Sequence, residues 1–127
     1  MVTVDTNVLV RWLVRDDEKL VIEADRLFDQ AQPASILLDR IVLAELCYVL
    51  KSVYDYKKFD IVANLTALLN DPRFSVIDRL LVENTVNIFG LHSQLSPEDS
   101  WLLALEQSNK AEKIWTFDKA LAKLSTN

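Results

Sequence analysis

The chain has 127 residues, half of them apolar and 26% charged, with a net charge of −5. That length suits one domain able to bury a real core, and the composition excludes a disordered or purely scaffolding chain. The acidic balance excludes a histone-like nucleic-acid binder, yet gathering four of the 19 acids at one site would leave the rest matched to the 14 bases within one charge.

In chain order, apolar patches of strand length alternate with helical patterns. Val2–Val4 reads as a short strand, followed by a first helix from about Thr6 and a second over roughly Glu18–Ala31. Ser35–Leu38 is a compact apolar strand ending at Asp39, and Ile41–Val53 then repeats at helical period. After the polar break "YDYKK", Phe59–Leu69 is helical, "DPRF" is a turn and Phe74–Ile77 is a third strand. Leu80–Leu91 is helical with Gly90 near its end, where helix C-termini favour glycine. "SPED" opens a helix running through Ser108, Lys113–Phe117 is predicted as a fourth strand and Lys119–Leu124 as a last short helix. Strands separated by one or two helices predict a single α/β domain with a parallel sheet wrapped on both faces.

Other absences narrow the class. Cys47 is the single cysteine, so no internal disulfide can form, and a cytoplasmic location is the expectation. One His and one Cys argue against a zinc site within one chain. No apolar run reaches membrane-spanning length, and no signal-peptide pattern is expected at the N-terminus. With one glycine in the chain there is no Gly-rich phosphate loop, which removes the P-loop and dinucleotide folds.

Ligands of open parallel sheets bind beyond the carboxyl ends of the strands. Asp5, Asp39 and Asp118 lie at or just after such ends. Asp5 can be the N-cap of the helix beginning at Thr6 or an active-site acid, and local sequence does not choose. Asn7 breaks the paired-aspartate pattern of a phosphatase that forms an aspartyl-phosphate. In "SPED", Ser96 can cap, Pro97 can start the helix and Asp99 can complete a capping box, which by itself favours structure. Asp118 can cap "KALAKL". Asp39 holds the same place before its own helix, has no other support and is kept as a cap.

Glu45 differs, because it lies inside its helix, with Ile41, Val42 and Val49 at helical spacing. On that spacing it borders the apolar stripe, either paired with a base such as Lys51 or Arg40 or held by a metal or a proton. Several carboxylates at one crevice cannot all ionise cheaply, and a hard divalent cation removes the conflict. Oxygen-only ligands suit Mg²⁺ or Mn²⁺, which act on phosphates, so the expected reaction is metal-assisted phosphodiester hydrolysis.

The ordered set "VDTN" at Val4–Asn7, "AELCYVL" at Ala44–Leu50, "EDSWLLAL" at Glu98–Leu105 and "TFD" at Thr116–Asp118 resembles the PIN-domain ribonucleases. More narrowly, it resembles the VapC-type toxins of toxin–antitoxin pairs, over essentially the whole chain. The resemblance implies a three-layer α/β/α sandwich with a central, mostly parallel sheet. It makes Asp5, Glu45, Asp99 and Asp118 the metal-holding catalytic acids, with Asn7 and Thr116 as polar supports. It also implies cleavage of RNA with Mg²⁺ or Mn²⁺, a homodimer and a cognate antitoxin that blocks the site. Two departures stand out: Ser100 and Trp101 follow Asp99 where the family usually has Ala and a smaller aliphatic residue, and "QSNKAEKIW" lacks the usual glycine.

Arg11, Arg40 and Lys119 lie nearest the acids in sequence and are the first candidates for RNA phosphate contacts, although solvated surface charge explains most lysines and arginines as well. Three functions remain: a toxin endoribonuclease, a PIN nuclease of RNA processing without an antitoxin, and a non-catalytic α/β binding or signalling module.

Overall fold

The structure, a computed structural model, describes residues 1–125. It divides into a first unit, Met1–Ile77, and a second, Asp78–Asn127.

The first unit runs β1 (Val2–Thr3), α1 (Thr6–Val14), α2 (Glu18–Asp29), β2 (Ile36–Leu38), α3 (Arg40–Ser52), α4 (Lys58–Asn70) and β3 (Phe74–Val76). The strands form a parallel sheet in the order β1-β2-β3, so a pair of helices connects each strand to the next and flanks the sheet, as the alternation predicts. Register pairs Val2 with Ile36 and Thr3 with Leu37, then Ile36 with Phe74 and Leu38 with Val76. Helix starts follow capping chemistry: Asp5, Asp17 and Asp39 each accept a backbone N–H from the first turn of the helix they precede. Leu9, Leu38, Leu46, Leu50 and Leu68 are fully buried in this unit.

One wall of that core is aromatic. Trp12 on α1 stacks on Phe28 of α2 at 4.0 Å, and Phe74 of β3 lies tilted 5.9 Å from Phe28. The Arg73 guanidinium sits over the Trp12 ring at 5.1 Å and donates to the Phe28 carbonyl at 3.0 Å. Its Nε and Nη2 grip the two oxygens of Asp71 at 3.0 and 2.7 Å. The Arg73 hydrogen bond holds the Asp71 carboxyl below the usual carboxylate range, despite the opposing effect of burial. Because the folded value is depressed, the pair stabilises the fold above the ordinary carboxylate range. That contribution is lost as pH falls through the folded value. Asp71→Asn is expected to destabilise the protein at neutral pH and to flatten the acid limb of its stability profile. Melting curves from pH 7 down to pH 3 check this, and an unchanged acid limb refutes it.

The second unit contains α5 (Arg79–Leu91), α6 (Pro97–Gln107) and α7 (Lys119–Leu124). Ile88, Leu95, Leu103, Ala104 and Leu121 form its core, with Leu81, Ile114 and Leu124 packed against them. Gly90 lies inside α5 with no positive φ, and the helix ends instead at an extended His92, so glycine's conformational freedom is not what stops it.

The predicted fourth strand, Lys113–Phe117, is not a strand. Its alternation survives, with Ile114 and Thr116 half-buried and Trp115 and Phe117 exposed. A ladder requires a neighbouring strand as well as a pattern, and among the described residues the regular elements of this unit are helices.

Candidate functional site

In the first unit, Asp5 follows β1 and turns the chain into α1. Its backbone is extended, and Oδ1 accepts the Asn7 N–H at 3.2 Å. Asn7 thus meets Asp5 through its main chain, and its side chain is exposed. Asp39 does the same after β2, accepting the Ile41 N–H at 3.2 Å. The register pairs Thr3 with Leu37, so Asp5 and Asp39 each lie two residues beyond a paired position, after the carboxyl ends of adjacent parallel strands. Sequence reasoning keeps Asp39 as a cap, which it is, but does not fix which strands are neighbours. The available signal was that both acids follow an apolar strand and precede a helix.

Glu45 requires a correction. The buried residues of α3 are Leu43, Leu46, Cys47 and Leu50, and Glu45 is exposed on the other side of the helix. Ile41, one turn before it, is 70% exposed, and Tyr48, one turn after, is 69% exposed. The apolar residues around Glu45 therefore do not mark a core-facing stripe, and no burial penalty calls for a compensating cation. Whatever role Glu45 has rests on its position, open to solvent and to ligands.

In the second unit, Asp99 closes a full capping box. Its N–H donates to Ser96 Oγ at 3.0 Å, and its Oδ2 accepts the Ser96 N–H at 3.4 Å. Ser100, one of the two departures, is fully buried and satisfied, its hydroxyl donating to the Ser96 carbonyl at 2.8 Å. Asp118 caps α7, accepting the Leu121 N–H at 3.0 Å, while the Thr116 hydroxyl accepts the Asp118 N–H at 3.0 Å. Thr116 thereby fixes the backbone of the acid it was expected to support.

The three cations differ. Arg11 is already committed: Nη1 lies 3.1 Å from Asp16 Oδ1 and 3.3 Å from the Tyr54 hydroxyl, and that hydroxyl donates to Asp16 Oδ2 at 2.9 Å. The Tyr54 hydrogen bond, reinforced by Arg11, holds the Asp16 carboxyl below its usual range. Arg11 therefore serves to pin the turn between α1 and α2 against the end of α3. Arg40 and Lys119 are exposed, each following a capping acid directly.

The candidate acids divide between the units, Asp5 and Glu45 in the first, Asp99 and Asp118 in the second. Among the described residues, no group of three or more His, Cys, Asp or Glu is placed to hold a metal ion. What suits a hard cation is the donor chemistry: all the donors are carboxylates, three of them exposed and Asp99 half-buried. A carboxylate offers about four acceptor positions, so one cap bond does not exhaust Asp5, Asp99 or Asp118. Capping and ligation are thus compatible on the same side chain.

A parallel sheet with acids beyond its strand ends, followed by a helical unit opening on further acids, defines a class of α/β protein. Comparison with known families matches the PIN domain over residues 2–127. The chain belongs to the PIN-domain family, whose members are generally nucleases acting on RNA. No curated protein and no solved structure matches it. No helix among the described residues is long and apolar enough to cross a membrane.

Proposed function

We propose that this protein is a Mg²⁺- or Mn²⁺-dependent endoribonuclease and the VapC-type toxin of a toxin–antitoxin pair, acting in the cytoplasm as one PIN domain. The observation that carries the reading is the family match across residues 2–127, a span that contains the four motif acids Asp5, Glu45, Asp99 and Asp118. These acids would hold the ion, which when bound supplies charge neutralisation at the attacked phosphodiester. The chain's own groups prepare that site: the Asn7 N–H orients Asp5, Ser96 orients Asp99, and Thr116 with the Leu121 N–H orients Asp118. Arg11, Arg40 and Lys119 are the candidates for RNA phosphate, and Arg11 would have to share its guanidinium with Asp16 and Tyr54. Exposed Tyr48, Phe59, Leu80 and Leu91 provide apolar surface that a second copy or an antitoxin would cover.

The test is expression with and without the neighbouring reading frame. Growth arrest relieved by the neighbour's product, together with a dimer in solution and RNA cleavage that EDTA stops, is expected. A harmless monomer that still cleaves RNA supports instead a PIN nuclease of RNA processing. A protein without cleavage under any divalent ion supports a non-catalytic module.

A second test separates capping from site chemistry at Asp99. Asp99→Asn preserves an oxygen able to accept the Ser96 N–H, so its melting temperature without metal should match or exceed that of wild type, and cleavage should be lost. A mutant destabilised by about 1 kcal/mol that remains active would make Asp99 a capping residue alone.

A further inference from the structure

Glu106 breaks two local rules. It lies in the last turn of α6, where a carboxylate opposes the helix dipole, and it is only 5% exposed. Residues that break such rules point to function. Its Oε2 accepts the Ser125 hydroxyl at 2.7 Å, and Ser125 is the C-cap of α7. The bond ties the C-terminal ends of α6 and α7 together.

Helix α7 needs that tie. It has six residues, too few to be stable alone, and Leu121 is its one buried side chain among the described residues. With Leu121 buried and Leu124 only partly so, this short helix has a small apolar footing about which it can pivot. Asp118 is the N-cap of this helix, bonded to the Leu121 N–H, so a pivot of α7 moves the Asp118 carboxylate directly. Asp99 opens α6, the helix that carries Glu106. We infer that Glu106 is a positioning residue: through Ser125 it fixes α7 on α6 and so sets Asp118 relative to Asp99. This inference rests on the reading of Asp99 and Asp118 as site acids.

Three variants test it. Glu106→Gln keeps an oxygen that accepts the Ser125 hydroxyl, Ser125→Ala removes the donor and Glu106→Leu removes the acceptor. Glu106→Gln should cleave RNA within about threefold of wild type. Ser125→Ala and Glu106→Leu should lose about tenfold to a hundredfold in kcat with little change in KM, as displacement of a reacting group by about 1 Å does. Amide exchange at Leu121, whose N–H the Asp118 carboxylate accepts, should accelerate in the latter two and not in Glu106→Gln, while α5 and the first unit keep their protection. Unchanged Leu121 exchange in both Ser125→Ala and Glu106→Leu overturns the inference, as does Glu106→Gln behaving like Glu106→Leu. The exchange measurement needs no nuclease activity. If wild type cuts no RNA, the site reading fails, while exchange still decides whether Glu106 holds Asp118 in place.

Discussion

Asp5→Asn is expected to abolish divalent-ion-dependent RNA cleavage while leaving the fold intact. Asparagine is as good an N-cap as aspartate, and its Oδ1 can accept the Asn7 N–H as Asp5 Oδ1 does. The substitution removes a negative charge after the carboxyl end of β1 without removing the cap, so the metal-free melting temperature should stay close to that of wild type. Loss of activity by about a hundredfold or more can then be assigned to the lost carboxylate rather than to unfolding. Mn²⁺ supplies an independent readout. An ion bound only by the folded state raises stability by RT ln(1 + [L]/Kd), so wild type should gain melting temperature with Mn²⁺ and Asp5→Asn much less. A fully active Asp5→Asn, or equal Mn²⁺ shifts in the two proteins, would reduce Asp5 to a cap. Cleavage persisting at full rate in EDTA would exclude the metal-dependent mechanism altogether.

The largest expected loss of stability comes from Phe28→Ala. Phe28 is 2% exposed, stacks on Trp12 at 4.0 Å and meets Phe74 at 5.9 Å, so truncation removes buried apolar area and leaves a cavity between α1, α2 and β3. Truncations of this kind cost about 3–5 kcal/mol, the lost aromatic pairing adding to the burial. Such a figure is a large share of the roughly 5–15 kcal/mol that holds a typical domain together. Trp12 and Arg73 lose their partner ring as well, so Trp12 fluorescence should report the change in the native state before unfolding begins. Chemical denaturation of both proteins measures the cost. A loss below about 1 kcal/mol would mean that the aromatic wall collapses to fill the space.

Most of the element order was legible in the sequence because helix period, strand period and capping act over a few residues. The helices after Asp5, Asp39, Ser96 and Asp118 begin where their caps place them. "SPED" carried its capping box in four consecutive residues, and the alternation of strands with helix pairs was enough to predict a parallel sheet. The capping role of Asp99 and Asp118 was likewise legible from local pattern. Tertiary structure decided what depends on a partner distant in the chain. The pattern of Lys113–Phe117 suits a strand, but a ladder needs an adjacent strand, and its own unit offers helices. Glu45 looked core-facing from its neighbours, yet the choice of which face of α3 is buried belongs to the elements packed against Leu43, Leu46, Cys47 and Leu50. That Arg11, a candidate for phosphate, also meets Asp16 and Tyr54 depends on Tyr54, at the far end of α3, closing on Asp16. That β1 and β2 are neighbours follows from the strand order of the sheet, and the bond of Glu106 to Ser125 from where α7 comes to rest. Local chemistry specified the elements and their ends; burial and adjacency, which sum contacts over the whole chain, required the fold.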